Sequence, residues 1–163
     1  MQNMHKHEIK LATVLDKGAY YIGDPCYVIP DEDWEVWLNN CNYREELNLF
    51  GVVPHSDLVA CGFSTAFGDG LYLLEKLAYS GYRSNWEVVA EIPVDAGMIG
   101  FVPVDSVPAS DRPDLNHVHT FEHPVDVTWE DGNIIFWAEG TQYRIITDGS
   151  NDAELDDYWN DEE

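Results

Sequence analysis

Tyr20-Tyr21-Ile22-Gly23-Asp24-Pro25-Cys26-Tyr27-Val28 is an apolar, aromatic strand broken by a Gly-Asp-Pro turn, and the rest of the chain reads outward from it. Proline cannot donate to a ladder and pushes the residue before it toward extended geometry, so Gly23-Asp24-Pro25 must be a bend or a sheet edge. The Asp24 carboxylate is thereby displayed at a fixed place, where it either caps nearby backbone amides as an Asx-type turn or serves a site. Two other stretches set an acid beside glycine at a strand end, Phe67-Gly68-Asp69-Gly70-Leu71-Tyr72 and Pro93-Val94-Asp95-Ala96-Gly97-Met98-Ile99-Gly100-Phe101. A pocket is expected, if anywhere, where these three turns meet.

Ile-Gly-Asp-Pro-Cys-Tyr-Val at 22–28, Gly-Asp-Gly-Leu-Tyr at 68–72 and Val-Asp-Ala-Gly-Met-Ile-Gly at 94–100 follow one another along the chain. This order resembles a group of small bacterial and phage-borne domains of unknown function that share a Gly-Asp-Pro, a Gly-x-Tyr and a Val-Asp-Ala-Gly motif. The resemblance covers residues 19–102 through short matches, and the acidic C-terminal third has no counterpart in it. It implies a prokaryotic or phage origin and accords with the fold reading below. It hands over no catalytic residues.

Charge is the strongest compositional feature: 31 acids against 8 bases give a net charge of -23 in 163 residues. Nucleic acids and anionic membranes are bound by clustered Lys and Arg, so direct binding to either is excluded and an electrostatically chosen partner is a basic protein. Acidity also serves solubility without any partner. The hydrophobic content of 45% supports one core at this length, and we expect a single β-rich domain over 1–147 followed by a flexible acidic tail over 148–163. No apolar run approaches the roughly 20 residues that span a bilayer and no secretory leader is visible, so a cytoplasmic location is expected. The composition leaves the oligomeric state open. Cys26, Cys41 and Cys61 are an odd set without C-x-x-C spacing and read as free thiols, with Cys26 beside the turn a weak candidate nucleophile.

Most of the periodicity is that of strands. Residues 9–15 and 20–22 read as a hairpin turning at Asp16-Lys17-Gly18; 58–61, 71–74, 86–92 and 97–102 continue the β pattern, with 79–83 as a loop and Pro93 closing a strand. Residues 125–129 and 134–137 form a second hairpin about Asp131-Gly132-Asn133, and 143–147 return as a third strand. Pro30-Asp31-Glu32-Asp33 opens an amphipathic helix near residues 31–42, with Asp31 or Asp33 as cap and Trp34, Trp37, Leu38 and Cys41 at i, i+3, i+4 and i+7. Residues 43–50 add a further helical turn, and 103–116 form a long loop that could cover a pocket. The expected fold class is α+β, mostly antiparallel, as a curled sheet or a sandwich carrying one helix.

Three constellations could carry function. The carboxylates of Asp24, Asp69 and Asp95, if they converge, could hold a hard cation or divide into acid and base, as in a metal-assisted hydrolase. His117 and His119 share a strand face and, with His123, have the spacing of metal ligands, although surface histidines are the plainer reading; no cofactor is expected unless a divalent metal binds at one of these sets. The third is a surface rather than a pocket. Acids in blocks, among them Asp31, Glu32, Asp33, Glu35, Glu45, Glu46, Asp156 and Asp157, can imitate the charge array of DNA, which carries one charge per about 1.7 Å of axis. The leading expectation is accordingly a non-enzymatic acidic protein that blocks or sequesters a basic, nucleic-acid-binding partner, as a phage accessory or counter-defence protein would; the alternative is a small-ligand or metal-assisted hydrolase pocket on the aspartate turns.

Overall fold

The computed structural model describes residues 10–41, 48–108 and 115–150. Among them are eleven strands and one α-helix, and every strand pair is antiparallel. In chain order the strands are β1 (Lys10–Leu15), β2 (Gly18–Gly23), β3 (Asn48–Val52), β4 (Val59–Ser64), β5 (Gly70–Ser80), β6 (Arg83–Val94), β7 (Met98–Pro103), β8 (Asn116–Phe121), β9 (Val125–Glu130), β10 (Asn133–Ala138) and β11 (Thr141–Ile145), with α1 (Asp31–Asn40) between β2 and β3. They form a six-stranded sheet in the order β1-β9-β10-β11-β5-β6 and a five-stranded sheet in the order β3-β4-β7-β2-β8.

The five-stranded sheet is the middle layer. Tyr20 and Ile22 of β2, Cys61 and Phe63 of β4, and Ile99 and Phe101 of β7 point to the six-stranded sheet and join Val127, Ile134, Phe136 and Ile145 in one core. The residues between them, Tyr21, Ala60 and Val102, point the opposite way into a second core with Val28, Ile29, Trp37 and Leu49. Burial on both faces is why 20–28 shows no polar alternation. The six-stranded sheet has one face in water, and β9 therefore alternates buried Val125, Val127 and Trp129 with Asp126, Thr128 and Glu130. At the β9–β10 turn Asp131 and Gly132 both have positive φ, 51° and 100°, as a two-residue hairpin turn that follows the strand twist requires. Trp129 Nε1 donates to Ser64 O at 2.8 Å and stitches the two sheets together.

Helix α1 lays Trp37, which is fully buried, against the middle sheet, and the indole Nε1 donates to Gly51 O at 3.2 Å. Cys41 is buried with it, Trp34 and Leu38 pack at the margin, and burial pushes the Cys41 thiol up to about 12. The expected face is therefore the packed one. The cap differs: the N-cap is Pro30, with no side chain capping the first amides, while Asp31, Glu32 and Asp33 sit in the first turn where the helix dipole favours acids.

Four other expectations are corrected. β1 and β2 are not a hairpin: β1 pairs with β9, β2 lies between β7 and β8, and Asp16-Lys17 carries the chain from one sheet to the other. The all-apolar β2 needs the doubly covered middle layer, whereas β1 suits the half-exposed edge of the other sheet. The loop at 79–83 is a tight turn at Gly81-Tyr82, so β5 and β6 are strands of 11 and 12 residues. Pro93 lies within β6, opposite Leu71, which is allowed because β6 is an edge strand. Asn48 to Phe50 belong to β3 rather than to a helix; residues 42–47, most of that segment, lie outside the described residues, as do Ile9, 109–114 of the expected long loop and 151–163 of the acidic tail.

The packing of α1 sets an expected outcome. Trp37→Ala removes the largest side chain of the second core and should lower unfolding free energy by about 3–5 kcal/mol in a urea titration. Glu35→Ala on the exposed side of the same helix should change it by less than about 0.5 kcal/mol.

Candidate functional site

The Gly23-Asp24-Pro25 bend ends β2, and the Asp24 side chain is fully buried. Its Oδ1 accepts the Cys26 amide at 2.9 Å, and its Oδ2 accepts the amides of Asp95 and Ala96 at 2.6 and 2.7 Å. Backbone donors thus satisfy a buried carboxylate that would otherwise be costly, in the capping role open to an aspartate before proline. Asn116 Nδ2 donates to Asp24 O at 3.3 Å from β8. Pro25 sits on Gly100, where an added Cβ would come within 2.6 Å of both Cys61 O and Pro25 Cγ, so only glycine lets the bend approach β7 this closely.

The third turn meets the other two through the backbone. The Thr65 amide donates to Gly97 O at 3.1 Å, and Thr65 Oγ1 and Tyr72 OH donate to Gly68 O at 2.7 and 2.8 Å. Gly70 pairs with Val94, which leaves Asp69 and Asp95 one residue beyond the same end of the β5–β6 ribbon, both with exposed side chains. The three turns therefore converge while their carboxylates do not: Asp24 faces inward and is occupied by amides, and Asp69 and Asp95 face water. Cys26 is half-buried beside them and forms no disulfide.

His117 and His119 share one face of β8, with ring centroids 5.7 Å apart. His119 packs on Phe121, Tyr143 and Phe136 at 4.8, 5.2 and 6.4 Å. Burial lowers the pKa of both imidazoles; His119 lowers His117 further, while Glu139 raises His119 in part. His123 is exposed in the turn between β8 and β9. Among the described residues no group of three or more His, Cys, Asp or Glu could hold a metal ion. The imidazoles act here as members of an aromatic cluster.

Acidic side chains cover the surface with few partners. Asp31, Glu32 and Glu35 are exposed on α1, whereas Asp33 is buried and lies 3.4 Å from His55 Nε2. Glu45, Glu46, Asp156 and Asp157 lie outside the described residues. A second ion pair, Arg144 to Glu75 at 2.8 Å, sets an arginine against a largely buried acid with its guanidinium carbon 4.0 Å from the Trp86 ring centroid. Exposed Asp16, Asp57, Asp69, Asp95, Asp105, Glu122, Asp126, Glu130 and Glu139 are in no ion pair among the described residues.

A groove of about 340 Å3 opens where the chain passes from β1 to β2 beside β3, β4 and β7. Buried Tyr20, Cys61 and Pro103 form its floor, and Val14, Phe50, Leu58 and Val59, all partly exposed, form its walls. Asp16, Asp57 and Asp105 stand on its rim together with Lys17. Tyr20 OH donates to Asp16 O at 2.8 Å, and its pKa is raised by burial and then by Asp16 and Cys61; burial also pushes the Cys61 thiol up to about 12. Sequence reading passed over this groove because its residues come from four segments. The one local signal is Leu58-Val59, an apolar pair left in water directly after Asp57.

Comparison of the chain with family models, with curated proteins and with solved structures gives no match.

Two outcomes follow from these geometries. Asp24→Ala leaves three amides without their acceptor and should cost about 2–4 kcal/mol in unfolding free energy, while Asp69→Asn and Asp95→Asn stay within about 0.5 kcal/mol. For the histidines, folded pKa values below 6.5 mean that the unfolded chain takes up protons first as pH falls, so their contribution is complete above 6.5 and is lost below it. The fall in melting temperature between about pH 7.5 and pH 5.5 should therefore be smaller in His119→Phe than in the native protein.

Proposed function

We propose that this protein is a non-enzymatic acidic binder that blocks or sequesters a basic, nucleic-acid-binding partner. The observation that carries the reading is the set of exposed acids that no cation neutralises within the described surface, on a chain of net charge -23. A scaffold built from two packed sheets and a helix holds these carboxylates in fixed positions, which a flexible acidic chain could not do. Asp31 and Glu35 stand about 6 Å apart along α1, on the scale of two 3.4 Å steps along one DNA strand. An acidic face of this kind draws a basic groove by Coulomb attraction and competes for it with nucleic acid. A phage accessory or counter-defence role in a host cytoplasm accords with the motif resemblance. No helix among the described residues is long and apolar enough to cross a membrane.

A hydrolytic pocket on Asp24, Asp69 and Asp95 would need carboxylates facing a common space. Asp24 spends its oxygens on three amides and the other two face water, so no observation favours that reading.

Capture from host lysate tests the proposal. Because Coulomb attraction is screened over about 8 Å at physiological salt, capture should weaken steeply as salt rises, and duplex DNA should displace the captured protein. Neutralising Asp31, Glu32 and Glu35 together should slow association more than it speeds release. Captured proteins that do not bind nucleic acid, or that DNA fails to displace, would return the acidity to a role in solubility.

A further inference from the structure

We infer that the groove beside the β1–β2 crossing anchors the basic partner, taking an apolar side chain of that partner flanked by arginine or lysine. The inference deepens the acidic-binder reading and rests on it. Val14, Phe50, Leu58 and Val59 keep 62%, 43%, 40% and 51% of their surface exposed around one concavity, which is a patch and not a scatter of single residues. Such walls take an aliphatic side chain. The rim selects its neighbours: Asp16, Asp57 and Asp105 are exposed and in no ion pair among the described residues, and Lys17 offsets one charge of the three. An acidic occupant would stand against a net negative rim, whereas arginine or lysine lays its methylene stem on the walls and its charge on the rim.

A polypeptide segment suits the place better than a small molecule. Among the described residues β1 pairs only with β9 and forms the edge of the six-stranded sheet, so the groove opens along a strand and lets an extended chain run past it. A charged surface by itself gives on-rate and little discrimination; an apolar side chain seated at the centre of an acidic rim supplies the anchor that the acids lack.

The test is a titration of the isotope-labelled full chain with a nine-residue peptide of alternating arginine and valine, followed by backbone amide shifts. Peptides of the same length with glutamate and valine, or with arginine alone, serve as controls. The arginine–valine peptide should shift amides of Thr13, Lys17, Leu58 and Val59 most, and should bind about tenfold or more tightly than either control. Val59→Lys, at an exposed wall position, should weaken it by about tenfold, and joint Asp57→Asn and Asp105→Asn should flatten its salt dependence. Tyr82→Ser, at the exposed β5–β6 turn, should leave it unchanged. Shifts spread over the acidic surface, equal binding of a control peptide, or undiminished binding by Val59→Lys would each overturn the inference. So would binding of dodecyltrimethylammonium in the groove by a protein that ignores the peptide, which would mark a small-ligand pocket. The two readings fail separately. Lysate capture displaced by DNA but untouched by Val59→Lys removes the groove and keeps the acidic binder. Peptide seated in the groove with no DNA-competed capture keeps the groove and removes the nucleic-acid partner.

Discussion

A carboxylate with no access to water is tolerable only where donors surround it, and the Asp24 side chain has three amides at hydrogen-bond distance. Two of them belong to the Asp95-Ala96 turn, 71 and 72 residues further along the chain. That contact joins the end of β2 to the connection between β6, which lies in one sheet, and β7, which lies in the other. It therefore governs where the two sheets meet as well as the register of β2 against β7, in which Gly23 faces Gly100. Pro25 closes over Gly100 at the same place, and no side chain larger than hydrogen fits beneath it.

From that end the layers follow by packing. β2, β4 and β7 carry apolar residues on both faces because one face meets the six-stranded sheet and the other meets α1. Around the inner core Phe63, Phe101 and Phe136 stand edge to face in sequence, at 6.0 and 5.5 Å, and Phe136 stacks on Tyr143 at 4.9 Å. Such aromatic contacts add to area burial and fix relative orientation, which explains how a chain with so large a net charge holds one arrangement. Apart from Asp24, Asp33 and Glu75, the acids among the described residues stay at least partly exposed. Arg144 lies 2.8 Å from the largely buried Glu75.

In the proposed reading the surface divides the work between reach and discrimination. Exposed acids set a long-range field that any basic protein feels, and salt shortens that field. The groove between β1 and the β3–β4 pair has apolar walls and a net negative rim, and on the proposal above these would distinguish one basic segment from another. Its openness comes from topology: β1 closes one sheet and β3 closes the other, so the sandwich mouth lies between two edges.

Local chemistry was enough for several features of this protein. The amphipathic spacing of Trp34, Trp37, Leu38 and Cys41 announced α1 and its buried face, Asp131-Gly132 announced the β9–β10 turn, and the Asp-Pro pair announced a bend whose carboxylate caps a nearby amide, because each depends on residues within a few positions of one another. The net charge set the expectation of a basic protein partner rather than nucleic acid without any fold. Tertiary structure alone decided that β1 and β2 lie in different sheets, since a short turn with a positively charged lysine is compatible with either a hairpin or a crossing and only burial on both faces of β2 selects the second. It also decided that the Asp24 carboxylate meets the Asp95-Ala96 turn through backbone amides, that Thr65 links the Gly68 and Gly97 carbonyls, and that Val14, Asp16, Phe50, Leu58, Val59 and Asp105 border one groove. None of these is legible along the chain, because hydrogen bonds and concave surfaces between distant segments depend on how the sheets stack, and no local spacing encodes that.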